Sequence, residues 1–258
     1  MLNNLTIPFK ELEFYEDDQA HFVAGMVVQD QLDSEYCGIV FAKDQNGRFR
    51  CVSLTKHCET LSHVRVLLEQ NLMHASMAEP STHFQGDEEG SAIDFFSPLR
   101  EKSLLNGSFL QLSEQKGFGA AKQIIELMMR WHNDADGNFV EQFQTAGFDQ
   151  RIWELYLYAV FTELRYDLSK EHVVPDFVCS GLDGDFSVEA VTLGQTQDAK
   201  NEEPKPPFEN EQEQLDYLNE YMPIRFSKAL TKKRKKKTNG QYYWGYRQVI
   251  EHSLIFSK

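Results

Sequence analysis

The sequence predicts an α/β chain, α+β overall, in which a mixed sheet flanked by helices follows a smaller α+β N-terminal region. Three observations carry this expectation. Apolar and polar residues alternate through "YCGIVFAKDQNGRFRCVSL" (36 to 54) around Asn46-Gly47, the signal of a hairpin whose two turn residues take positive φ. The stretch "FDQRIWELYLYAVFTELRYD" carries apolar side chains on nearly every side of a helix, which marks it for burial. From residue 149 onward the order reads helix, two or three short strands, crossover helix and last strand, an order that builds a mixed sheet.

The N-terminal region spans residues 1–135. After the hairpin, "SHVRVLLEQNLMHASM" (62 to 77) has helical spacing, residues 78–91 are polar and turn-rich, and "GAAKQIIELMMRWH" (119 to 132) is a second helix stopped by "NDADGN". No catalytic constellation stands out, and the region reads as a packing or recognition module. "KHC" at 56 to 58 with His63 offers too few ligands for a structural metal site. Cys37, Cys51, Cys58 and Cys179 follow no metal spacing, so reduced thiols are expected.

The second region, 136–258, opens on a helix with Asp149 at its N-cap. A short strand near "YDLS" precedes "PDFVCSGLDGDFSVEAVT" (175 to 192), two strands about a tight turn. Residues 194–214, polar with three prolines, predict a mobile loop. In "LDYLNEYMPIRFSKALTKKRKKK" a helix emerges, interrupted or restarted around Pro223, and ends in basic residues that suit a helix C-terminus. The aromatic "QYYWGYR" and a last strand at "SLIF" follow.

Composition narrows the function classes. At 258 residues and 41% hydrophobic content the chain can bury one large core or two small ones. No stretch approaches the ~18 to 20 apolar residues of a membrane span, and the N-terminus lacks signal-peptide features, so a cytoplasmic protein without membrane contact is expected. The net charge of −14 argues against a general affinity for polyanions. Yet "KALTKKRKKK" (228 to 237) holds seven of the 26 basic residues, and the remaining 19 face 40 acidic ones. Nucleic acid, if bound, meets that segment first, through Lys228, Lys232, Arg234 and Lys236; a solvated helix end is the bland reading of the same charges.

The acids of the second region form a pattern. With a turn centred between Leu182 and Asp183, Asp176 and Glu189 occupy opposed positions, their Cβ atoms roughly 4.5 to 5.5 Å apart on one face. Phe177, Cys179, Phe186, Val188 and Ala190 then share the other face as a core stripe. Opposed like charges destabilise a hairpin unless something compensates, and a divalent cation does so; solvated acids on an exposed edge are the alternative. Glu154 is the single charged residue in "IWELYLYAVF", so it must be paired, protonated or metal-bound. A salt bridge to Arg151, Arg165 or a basic residue of the second helix (119 to 132) is the structural alternative to a Mg²⁺ cage of three acids. Nothing supplies paired histidine ligands for another class of metalloenzyme.

Glu154, "PDF" at 175 to 177 and "VEAVT" at 188 to 192 resemble the PD-(D/E)xK nuclease superfamily, the restriction-endonuclease-like fold. More narrowly, "DGNFVEQFQTAGFDQRIWELYLYAVFTEL", "PDF", "VEAVT" and "SKALTKK" are similar to a little-characterised bacterial group of that fold, whose second motif is E-x-x-T, here Glu189 to Thr192. The resemblance covers about residues 136–258. It implies Mg²⁺, with Mn²⁺ as substitute, held by Asp176, Glu189, the Ala190 carbonyl and Glu154, and hydrolysis of phosphodiester bonds in DNA before RNA. The superfamily's lysine position is Val191, the clearest departure from the pattern. The narrower group carries a lysine on the later helix, and by that motif Lys233 takes the role, with catalytic residues Glu154, Asp176, Glu189 and Lys233. The alternative is a catalytically inactive nuclease-fold module that binds nucleic acid or a protein; a homodimer fits either. Members of the group often continue past the final strand, whereas this chain stops at Lys258 with its core order expected complete.

Overall fold

A computed structural model describes residues 9–16, 22–88, 92–132, 137–169, 175–181, 184–193, 208–235, 237–238, 240–245 and 253–257. The chain divides into two compact units, Met1–Asp94 and Phe95–Lys258, and its class is α+β. No helix among the described residues is long and apolar enough to cross a membrane.

The first unit is an antiparallel meander, β1 (Phe9–Glu16), β2 (Val23–Asp30), β3 (Tyr36–Lys43) and β4 (Phe49–Leu54), followed by helix α1 (Leu61–Met77). Alternation places Val23 and Val27 of β2 and Val40 and Ala42 of β3 in one core with Val64, Leu68 and Ala75 of α1. Close approach requires glycine: a Cβ on Gly38 would sit 2.9 Å from Thr55 Cγ2 and 3.1 Å from Leu68 Cβ. Thr60 caps α1 by accepting a hydrogen bond from the His63 amide.

The β3–β4 turn differs from the expected two-residue type. Only Gly47 of the Asn46-Gly47 pair has positive φ, at 76°. The Gly47 amide donates to Asp44 O and the Asp44 amide to Arg48 O, both at 2.9 Å, which is the pattern of a three-residue loop closing on a left-handed glycine. Asp44, 4% exposed, explains the choice: its carboxylate accepts from the Asn46 and Arg48 amides and from Arg48 Nε, each at 2.9 Å.

The second unit begins 41 residues before the boundary expected at 135/136. Phe95, Phe96, Phe109, Leu112 and Met129 pack in one cluster with Phe139, Phe143, Phe148 and Leu155, so helices α2 (Gly107–Glu114) and α3 (Gly119–Trp131) share a core with α4 (Phe139–Gln144) and α5 (Phe148–Glu163). Gln144, fully buried, fastens the arrangement by donating to Phe95 O and Ser97 O and accepting from the Leu99 amide.

After α5 come β5 (Asp167–Ser169), β6 (Phe177–Ser180) and β7 (Phe186–Ala190), then α6 (Glu211–Asp216), a π-helical turn at Tyr217–Tyr221, α7 (Met222–Lys235), the short pair β8 (Lys237–Thr238) and β9 (Gln241–Tyr242), and β10 (Ser253–Ser257). The sheet order is β10-β7-β6-β5, with β10 parallel to β7 and the other neighbours antiparallel, so the α6–α7 segment is part of a crossover. Phe177, Cys179, Val188 and Ala190 are buried against Leu157 and Phe161 of α5, with Phe186 packed alongside, which is the expected core stripe.

Three local expectations change. Gly147, not Asp149, occupies the N-cap position of α5, and Asp149 sits in the first turn, where a carboxylate is favoured by the helix dipole. Helix α5 is buried on two sides, through Phe148 and Leu155 in the aromatic cluster and through Leu157 and Phe161 against the sheet, but it leaves an open strip at Tyr156, which is 55% exposed. Asn210 caps α6 by accepting from the Glu213 amide, so the helical run begins inside the expected 194–214 loop; residues 194–207 lie outside the described residues. The run continues past Pro223 because the π turn immediately before it accommodates the missing amide and the bulk of the ring.

Candidate active site

The β6–β7 pairing sets the geometry. Phe177 pairs with Val188, Val178 with Ser187 and Cys179 with Phe186, the register that sets Asp176 against Glu189. Asp176 lies one residue ahead of β6, and its Oδ2 accepts the Ala190 amide across the pair at 2.7 Å. Glu189, on β7, is 1% exposed. Asp176 keeps an accessible edge, but burial of its carboxyl, followed by the negative charge of Glu189, pushes its pKa to about 7.

Two cations meet these acids. Lys233 of α7 donates through Nζ to Glu189 Oε1, with the lysine side chain 23% and the glutamate side chain 2% exposed. Lys233 and Arg151 both act on Asp176 in the direction that keeps it ionised. Arg151 sits 2.5 Å from Glu154 Oε2, its other guanidinium nitrogens donate to Gln142 Oε1, and Gln150 donates to Glu154 Oε1 at 3.0 Å. Glu154, 3% exposed, therefore takes the salt-bridge option. Its pKa is raised by burial first and by the Asp176 charge second, against the pull of Arg151.

The structure thus brings Glu154, Asp176, Glu189 and Lys233 into one electrostatic neighbourhood. It does not draw the three acids into a tight cage: among the described residues the trio of ligand-type side chains with atoms within 4.8 Å of one another is Asp33, Glu35 and His57. That trio is in the first unit, with His57 Nδ1 3.4 Å from Glu35 Oε2. No spacing pattern announces it, because the acids precede His57 by a whole hairpin.

Lys228, Lys232 and Arg234 of α7 are exposed, whereas Lys233 is half-buried; Lys236 lies outside the described residues. Helical spacing accounts for the sorting, since neighbours on α7 point about 100° apart. Beyond the helix, Tyr242 and Trp244 stack with ring centroids 4.9 Å apart, and Trp244 is 53% exposed. The aromatic stretch therefore presents a ring to solvent instead of supplying only core.

Val191, where the resemblance would expect a lysine, is 4% exposed and borders an apolar groove with Trp153 and Tyr156. Its environment has no place for an ammonium on this side. The four cysteines are unpaired, and burial pushes the Cys179 thiol up to about 12, which makes it a packing residue and not a nucleophile.

No family model, curated protein or solved structure matches the chain.

Proposed function

We propose that the protein is a Mg²⁺-dependent nuclease of restriction-endonuclease-like fold, cleaving DNA in preference to RNA. The observation that carries the reading is the contact of Lys233 Nζ with Glu189, on the strand where the resemblance requires a lysine and Val191 supplies none. The helix-to-sheet order and the parallel pairing of β10 with β7 agree with that fold.

The donor set suits a hard divalent cation. Asp176 and Glu189 are opposed carboxylates, and the pKa of Asp176 is raised by burial first and by the Glu189 charge second, so a bound cation would stabilise the ionised pair. Asp176 and Glu189 would hold the ion, with the Ala190 carbonyl beside them. Glu154 is engaged by Arg151 and Gln150 and contributes charge from the second rank. When bound, Mg²⁺ lowers the pKa of water and offsets charge on the phosphate being cleaved. Lys233 places a positive charge where negative charge develops, the part the motif's lysine plays. Exposed Lys228, Lys232 and Arg234 attract the polyanionic backbone to a face of an otherwise acidic chain.

The second reading is a catalytically inactive nucleic-acid-binding module, and the Arg151–Glu154 pair favours it, because an acid neutralised by arginine needs no metal. Incubation with plasmid and with single-stranded DNA plus Mg²⁺ or Mn²⁺ separates the two. Nicking that disappears in Asp176→Ala supports the enzyme; cleavage unchanged in that variant is contamination and defeats it.

A further inference from the structure

A groove of about 550 Å³ lies at the end of β7, lined by Ile152, Trp153, Tyr156, Val191, Leu193 and Met222. Three features specify its occupant. One wall is a stacked aromatic pair, Trp153 and Tyr156, with ring centroids 5.3 Å apart and planes 14° from parallel; Tyr156, 55% exposed, offers a flat apolar face to whatever enters. The groove also lies at the end of the strand that carries Glu189, because Val191, two residues beyond that acid, and Leu193 are in its lining, and Trp153 is the chain neighbour of Glu154. Met222, at the opening end of α7, is in the lining, and the same helix carries the exposed cations Lys228, Lys232 and Arg234.

A ligand matching all three is planar and apolar on its faces and is attached to a polyanion that follows α7. We propose that this groove is a nucleobase subsite: an unpaired base beside the scissile phosphate stacks on Tyr156, so the substrate is single-stranded or locally unpaired nucleic acid. Val191 then has a purpose at the position where a lysine is expected, because an ammonium there would charge the wall against which a base must lie. Asp149, also in the lining, is an acceptor for an exocyclic amino group, so adenine, cytosine or guanine is preferred to thymine. Duplex DNA keeps its bases stacked and hydrogen-bonded, and entry would first require unpairing.

This inference rests on the nuclease reading for the identity of the neighbouring phosphate, but it is tested by binding without metal. Fluorescence anisotropy in EDTA would compare a labelled single-stranded 12-mer, an abasic 12-mer of the same phosphate number and a blunt duplex. The wild-type protein is expected to bind the base-bearing single strand about tenfold more tightly than the abasic one. Tyr156→Ala removes that difference and leaves abasic binding unchanged, while Tyr156→Phe retains it. Equal affinity for the two single strands, no binding of either, or a Tyr156→Ala variant that keeps the base preference overturns the subsite. A variant that shifts from dimer to monomer in sedimentation with oligonucleotide binding intact assigns the groove to a second copy instead, and also overturns it. Base-dependent binding with no cleavage in Mg²⁺ would defeat the nuclease reading alone; cleavage without base-dependent binding would defeat the subsite alone.

Discussion

Lys233 and Glu189 stand 44 residues apart in the chain and meet through Nζ and Oε1, the lysine reaching from α7 to a carboxylate that is almost entirely buried on β7. A buried carboxylate with a cation this close depends on it, because without the ammonium the charge would face protein in place of water.

Replacing the lysine tests that dependence. Lys233→Met is expected to lower stability by about 3 kcal/mol, the low end for a broken buried pair, since the lysine retains partial exposure. Denaturant unfolding measures it. In the double variant Lys233→Met/Glu189→Gln the loss is expected to be smaller than the sum of the single losses, because the neutral glutamine no longer needs the cation.

Asp176 gives the fold a pH dependence of definite sign. Its pKa is near 3.8 when unperturbed and about 7 in the folded chain, so the folded state binds its proton more tightly than the unfolded one. The contribution is fully present below pH 4 and is lost as pH rises through about 7. Thermal unfolding is expected to show this decline in the wild type and a flatter profile in Asp176→Asn. If Mg²⁺ binds Asp176 as proposed, it competes with that proton and is expected to raise the melting temperature at pH 8 more than at pH 5. An equal response at both pH values contradicts binding at Asp176.

The Arg151–Glu154 pair is expected to be costly to break and cheap to remove whole. Arg151→Met leaves a buried glutamate opposite no cation and should cost roughly 3 to 5 kcal/mol, whereas Arg151→Met/Glu154→Leu should recover most of it. Denaturation midpoints of the three proteins check this.

In the first unit, Asp44→Ala strips the β3–β4 loop of an acceptor for two amides and a guanidinium. A loss of about 2 kcal/mol is expected. Amide exchange at Asn46 and Arg48 should accelerate in the same variant.

The site was more legible in the sequence than its surroundings. Hairpin pairing is arithmetic, so once the turn near 182–183 was placed, the opposition of Asp176 and Glu189 and the core stripe from Phe177 to Ala190 followed. Lys233 was reachable only through the family resemblance, because α7 offers several lysines and spacing cannot say which one faces the sheet. Arg151 is one of the partners open to Glu154, beside Arg165 and a basic residue of the 119–132 helix, and its place one helical turn away decides the choice.

The failures have local causes. Strands β1 and β2 carry no clear period: "FKELEFYE" mixes charge into an edge strand that also carries a bulge between Glu11 and Glu13, and "VAGMVVQD" is buried at consecutive positions, which blurs the period of two. The boundary at 135/136 followed the polar run "NDADGN", whereas the aromatic cluster joining Phe95 and Phe109 to Phe143 is a tertiary fact with no periodic signature. At Asn46-Gly47 the dipeptide signal was outweighed by the Asp44 carboxylate, which organises a longer loop.

The measurement bearing most directly on the central claim is single-turnover cleavage of a labelled DNA oligonucleotide by the wild type, Asp176→Asn and Lys233→Ala, each shown to be folded, with Mg²⁺ and with EDTA. Metal-dependent cleavage by the wild type is expected, with a rate loss of about 100-fold or more in each variant. A wild type that cleaves nothing in Mg²⁺ or Mn²⁺, or a Lys233→Ala variant that cuts at the wild-type rate, would contradict a catalytic site built from Asp176, Glu189 and a lysine supplied by α7.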